Sequence, residues 1–409
     1  MPARGDTASS KGELAEHWPV LAVAFLVSLV AMGLRFATGP FMSPMAADFG
    51  FTQGQLSTIV AGSMLGFGLA LPLAGRLADA WGSRAVAAAG LACLALSLAT
   101  VARTASAAVF SAAFVIGASL GFAATSQVAL SPLITRWFVR QRGLAMTFLS
   151  AGGMAGIALF TPVSAILIDA VGWRNAYLLF AVFIGVLLLP ALLLLVRERP
   201  VPMQSASTRA AWKPALATGP FWLCAAGMFA CGFSMNLMST HGVPMLEHHG
   251  FPTMTASLGI GLLGLVSVGG TLSLGALSDR LGRPAFLALI YFVRALGFVA
   301  LVFAGREWEL YLTAAIGGLV WAGSPALTSA ITADLYGPRV VGTLFGLMYM
   351  GHQVGAAAGA FLGGWAFDAS GDYTGAFVTA AVLLVAGAAA SRRIPAMAPA
   401  VTAEGGVAG

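Results

Sequence analysis

Trp18–Phe41 reads WPVLAVAFLVSLVAMGLRFATGPF, and Arg35 is its only charged residue. An α-helix rises about 1.5 Å per residue, so about 20 apolar residues cross a hydrocarbon core of about 30 Å. The stretch is therefore a membrane span. It is also too long for the core of a signal peptide, so it reads as an uncleaved first span behind the polar tail 1–17. An arginine at mid-depth costs at least about 2.5–3.5 kcal/mol on insertion scales, so such a residue usually faces water, a partner or a ligand. Two readings of Arg35 follow. It faces a central path and attracts an anion, or it lies about 25 Å along the helix and extends its head to the lipid headgroups.

The rest of the chain repeats this composition. Of 409 residues 59% are hydrophobic and 9% charged, against about 25% charged in soluble domains. Apolar runs fall near 18–41, 55–74, 85–102, 108–135, 143–168 and 175–196, then near 218–240, 254–277, 284–304, 310–333, 341–367 and 373–391. The predicted fold is all-α and integral to the bilayer, with twelve transmembrane helices. The polar segment 197–217 divides them into two six-helix halves, 18–196 and 218–391, and a second tail spans 392–409.

Sixteen of the lysines and arginines lie in tails or loops on the side of the N-terminus. Three, Arg103, Arg174 and Arg306, lie on the other side, and Arg35 and Arg294 fall within spans. Positive charge marks the cytoplasmic side, so both termini are expected there. The basic residues form no patch suited to nucleic acid. Cys93, Cys224 and Cys231 sit in apolar runs without metal-ligand spacing. No phosphate-binding loop, metal cluster or nucleophile–base pair is visible, which argues against an ATP-driven pump, a cofactor and an enzyme.

The halves repeat each other. Pro44-Met45 and Gly50-Phe51 recur 200 residues later as Pro244-Met245 and Gly250-Phe251; Gly75, Asp79 and Gly82 recur as Gly275, Asp279 and Gly282; Asp169 and Gly172 recur 199 residues later as Asp368 and Gly371. Six spans per repeat preserve orientation, so the halves are related by an axis along the membrane normal.

Gly75-Arg76-Leu77-Ala78-Asp79-Ala80-Trp81-Gly82-Ser83-Arg84 resembles the signature of the major facilitator superfamily between spans two and three. Gly275–Arg283 resembles its second copy. The resemblance implies a cytoplasmic gate that includes Gly75, Asp79, Gly82, Arg84, Arg142, Gly275, Asp279, Gly282 and Arg283. Its glycines allow tight turns, and its aspartates pair with an arginine and a helix N-terminus. A narrower likeness runs through Arg35–Phe41, Trp137–Ala145, Gly172-Trp173-Arg174 and His241–Pro244. These resemble the bacterial monocarboxylate-transporter-like branch, which includes oxalate/formate-type antiporters. Carriers of that branch often hold an arginine in span eight, and Thr255–Leu277 has none. Span five carries Gly152-Gly153-Met154-Ala155-Gly156 in place of the Gly-Pro-x-x-Gly-Gly ending of proton-driven drug exporters.

All fifteen acidic residues can be placed in tails, loops or span ends. The groups left within spans are cationic or neutral: Arg35, Gln127, Asn236, His241, Arg294, His352 and Gln353. An arginine fork matches a carboxylate, so these seven are the candidate contacts for a small organic anion, with protons or a counter-anion as coupling partner. Arg294 has a second reading as a structural arginine bonded to helix carbonyls, and the histidines and amides have second readings as packed, hydrogen-bonded groups. The expectation is a monomeric secondary transporter of the bacterial cytoplasmic membrane, with a drug exporter or a non-transporting sensor as alternatives.

Overall fold

The computed structural model describes the backbone of residues 16–138, 141–197, 213–337 and 340–395; the side chains of 142–143 and 271–281 lie outside the description. All the regular structure described is helical. Eleven helical stretches among the described residues are long and apolar enough to cross a membrane. Val341–Ser370, a 30-residue helix, lies between the tenth and the last of them in the chain and completes twelve spans. Its mean hydropathy is lowered by Tyr349, His352, Gln353, Asp368 and its glycines. This span carries two of the predicted site residues, His352 and Gln353.

The sequence repeat has a backbone cause. Positive φ occurs at Gly50 and Gly250, Gly82 and Gly282, and Gly172 and Gly371. Only glycine takes that conformation without a Cβ penalty, and each of these six ends a helix or joins two. Close packing repeats as well. A Cβ on Gly156 of span five would collide with the Leu29 carbonyl of span one. One on Gly355 of span eleven, 199 residues later, would collide with the Phe229 carbonyl of span seven. In lipid, small residues of this kind let helix backbones approach and pack.

Two buried apolar clusters form the interior, one drawn mainly from each half. Phe36, Met154 and Ile157 of the first half pack into the second cluster, and Ala356, Ala357 and Ala360 of the second half pack into the first. Span seven is the most enclosed, with 72% of its apolar window buried, and span six the least, at 28%. Span six therefore lies at the rim, where Val186 and Leu194 present their side chains to lipid.

Two boundaries differ from the sequence reading. Span one is not finished at Phe41: helix Trp18–Phe36 breaks at Ala37-Thr38 and resumes as Gly39–Phe49. Span seven runs unbroken through Gly242 and Pro244 as Gly219–His248. His241 is therefore inside that helix and does not close it.

Candidate functional site

Arg35 lies near the middle of the lengthened first span and is buried, 7% exposed. That placement removes the headgroup reading, because a head extended to the bilayer surface would be exposed. One terminal nitrogen, Nη2, donates to Gln353 Oε1 at 3.0 Å and to Met64 Sδ at 3.3 Å. The guanidinium carbon sits 3.9 Å above the centre of the Phe67 ring. Its Nε is buried without a hydrogen-bond partner. Among the described residues no carboxylate pairs with it. A buried cation is ordinarily matched by an anion, and here it meets an amide, a thioether, a ring face and the Tyr349 hydroxyl, all neutral.

The Arg35–Gln353 bond crosses from the first half to the second. Gly68 of span two makes the approach possible, because a Cβ there would lie 2.8 Å from Gln353 Cβ. A guanidinium can only donate, so the bond fixes the orientation of the Gln353 amide. Oε1 faces Arg35, and Nε2 is turned to His352 Nδ1 at 3.3 Å. That nitrogen then accepts, which puts the proton of a neutral His352 on Nε2. The His352 ring lies parallel to Tyr349 with centroids 5.0 Å apart. Arg35, His352 and Gln353 are therefore brought together, and Met64, Phe67 and Tyr349 join them. The sequence carried a signal for Tyr349 alone, which stands three residues before His352 on one helix face.

The other predicted residues lie elsewhere. Arg294 is enclosed within the second half, where span ten breaks between Leu319 and Gly323. Its Nη2 donates to the carbonyls of Val320, at 3.0 Å, and Trp321, and its Nη1 lies 3.2 Å from Cys231 Sγ. A broken helix in lipid leaves carbonyls unsatisfied, and Arg294 satisfies them. Gln127 is exposed and donates to Ser150. Asn236 is buried, and its Oδ1 lies 3.5 Å from Ser239 Oγ.

His241 belongs to a seal where the halves meet, at the end of the bundle away from Trp18 and Arg392. Its Nε2 donates to the Ala360 carbonyl at 2.8 Å and lies 3.3 Å from Ser57 Oγ; its Nδ1 is buried without a partner. Beside it the Gly54 N–H, in the first turn of span two, donates to Asp368 Oδ2 at 2.8 Å. Trp365 Nε1 donates to Thr58 Oγ1 at 3.2 Å, and Ser43 Oγ donates to Glu247 Oε2 at 3.3 Å.

Of the predicted gate, Gly82 and Gly282 make the positive-φ joints between spans two and three and between eight and nine. Gly75 is half-buried and Asp79 exposed. Arg84 Nη2 donates to the Leu193 carbonyl at 2.6 Å, and Arg283 Nη1 reaches both oxygens of Asp334 at 2.7 Å. Gly275 lies on the helix Thr253–Leu281; the side chains of Arg142 and Asp279 lie outside the described residues.

The sequence profile of the Major Facilitator Superfamily matches residues 24–306 and 265–406. Human monocarboxylate transporter 11 is 27% identical over 399 residues, covering 90% of this chain and 81% of its own length. The oxalate:formate antiporter of Oxalobacter formigenes is 22% identical over 398 residues, covering 96% and 94%. Among solved structures, a bacterial homologue of the human lysosomal transporter Spinster, inward-facing and occupied, superposes with a TM-score of 0.74 at 17% identity, covering 94% and 97%. That likeness is one of fold.

Proposed function

The chain belongs to the major facilitator superfamily, and from that premise we propose that it moves a small organic anion, a monocarboxylate by preference, across the bacterial cytoplasmic membrane by alternating access. The observation that carries the reading is Arg35: a buried guanidinium, without a carboxylate partner among the described residues, on the seam between the halves. It offers an anion a charge that the protein has already desolvated. Relatives named for monocarboxylates and for oxalate and formate support the substrate class.

In this reading 18–196 and 218–391 are the rocking halves, and 1–17, 197–217 and 392–409 are cytoplasmic. The seal of Ser57, His241, Gly54 and Asp368 is then extracellular, so the state described is closed to the outside. The Asp79 and Asp279 loops would stabilise closure on the inside. Flux is driven by proton symport or by exchange against a second anion, and the monomer is the working unit.

A thermal-shift screen of the purified protein against formate, oxalate, L-lactate and pyruvate tests the reading. At least one should raise the melting temperature of the wild type and leave Arg35→Gln unmoved. Removing a charge-assisted hydrogen bond worth about 1.5–3 kcal/mol weakens binding roughly 10- to 150-fold. A stabilising carboxylate that acts equally on Arg35→Gln would take Arg35 out of the site. A profile of cationic and neutral drugs as the only stabilising ligands would favour the exporter reading.

A further inference from the structure

We propose that Gln353 is a two-way switch through which a proton on His352 opens Arg35 to the substrate carboxylate, making the carrier a proton–anion symporter. The inference rests on the anion reading above and adds to it the coupling ion and the residue that couples. Its starting point is the chain Arg35–Gln353–His352, in which each hydrogen bond dictates the next.

With His352 neutral, its Nδ1 accepts from Gln353 Nε2, and Gln353 Oε1 is held on Arg35. The amide thus occupies the place a carboxylate oxygen would take. It is a neutral acceptor, weaker than an anionic one by roughly half. It satisfies the buried guanidinium of the empty carrier while the halves are docked at this seam.

A proton added to Nδ1 reverses this. The protonated nitrogen can only donate, so the Gln353 NH2 loses its acceptor and faces a donor. Turning the amide by 180° repairs that contact, with Oε1 accepting from His352. The same turn brings the NH2 to Arg35, where two donors oppose each other. Arg35 then keeps only neutral partners, the Met64 thioether and the Tyr349 hydroxyl, until an anion arrives. The balance is one proton from solution onto His352 Nδ1 and one carboxylate onto Arg35, with no bond made or broken in the substrate.

The surrounding charges favour joint binding. From span one His352 is linked to Arg35 through Gln353. From span seven it is met by Cys231, whose sulfur also meets Arg294 of span nine and Ser324 of span ten. On its own helix it is stacked on Tyr349. Span two contributes Met64, Phe67 and Gly68, none of which titrates. Protonating His352 alone would add a positive charge to a neighbourhood that already holds two arginines. The carboxylate removes that penalty, so proton and anion assist each other's binding, and the assistance is reciprocal.

The test is the affinity of L-lactate, formate and oxalate for the full-length protein in nanodiscs between pH 6 and 8, where L-lactate stays ionised. Wild type should bind more tightly as the pH falls, by up to about tenfold per pH unit when one proton is taken up with each anion. Gln353→Leu and His352→Gln should each lose the slope, whatever affinity each retains at pH 8. In proteoliposomes an inward proton gradient should accelerate L-lactate uptake by the wild type and leave each variant at its own rate without a gradient. Gln353→Glu, which places a permanent carboxylate beside Arg35, should bind about tenfold more weakly or worse. A wild-type slope retained in Gln353→Leu or in His352→Gln overturns the switch while leaving the anion reading intact. Binding that survives Arg35→Gln, or no binding of the three acids by the wild type, overturns both.

Discussion

Asp368 offers a measure of how firmly the seal between the halves holds. Its Oδ2 accepts the Gly54 N–H at 2.8 Å in the first turn of span two, where the free N–H groups and the helix dipole favour a negative charge. Asp368 is exposed, so the charge is worth the lower part of the usual range, about 0.3–1 kcal/mol. The hydrogen bond adds about 1 kcal/mol. Asp368→Asn can keep the bond and lose the charge, and should raise the population open at this end about 2- to 5-fold. Asp368→Ala loses both, and should raise it about 10- to 30-fold. The reporter is Ser57→Cys in a background without Cys93, Cys224 and Cys231. Ser57 is fully buried against His241 and Gly364, so its thiol reacts with a membrane-impermeant maleimide when spans two and eleven part. Labelling rates should rise in the order Asp, Asn, Ala. Equal rates in all three would refute the role given to the helix terminus, and equal rates for Asn and Ala would refute the charge contribution alone.

Arg294→Met should lower the melting temperature without ligand by several degrees. It strands the Val320 and Trp321 carbonyls inside the second half, at a cost of about 1–3 kcal/mol for each buried group left unpaired; Arg35→Gln, measured alongside by scanning fluorimetry, should move it far less. Gly355→Ala should abolish folded yield by size-exclusion chromatography, because its Cβ would meet the Phe229 carbonyl. Gly351→Ala, one turn earlier, should be tolerated, because the nearest atom to its Cβ is 3.8 Å away.

The twelve spans and the twofold repeat were legible in the sequence because each has a local cause. Apolar runs of spanning length report the bilayer, and Gly50, Gly82, Gly172 and their later copies report positive φ. The ends of spans one and seven were not legible. Gly39-Pro40 and Gly242–Pro244 have the composition of helix ends in water. Inside a bundle, neighbouring helices can satisfy the backbone groups that a proline frees, so span one resumes after its break and span seven runs on unbroken. That misjudged length left the headgroup reading of Arg35 open and set His241 at a terminus. Gln353 and Arg35 are 318 positions apart, and Phe67 and Met64 carry no signal of polar function. Their meeting depends on how the halves dock.

The two buried arginines show why residue type and depth did not separate structure from site. Both lie inside spans, both are nearly inaccessible, and among the described residues neither pairs with a carboxylate. What differs, in the alternating-access cycle proposed above, is the stability of their acceptors. Arg294 is bound to carbonyls of a broken helix in its own half, partners that move with it when the halves rock. Arg35 is bound to a side chain of the opposite half, a partner that rocking can withdraw. In the function proposed above, the cation whose acceptor departs takes the arriving anion in its place. Arg35 would then be the point at which substrate occupancy and conformation exchange free energy, whereas Arg294 keeps its acceptors within one half.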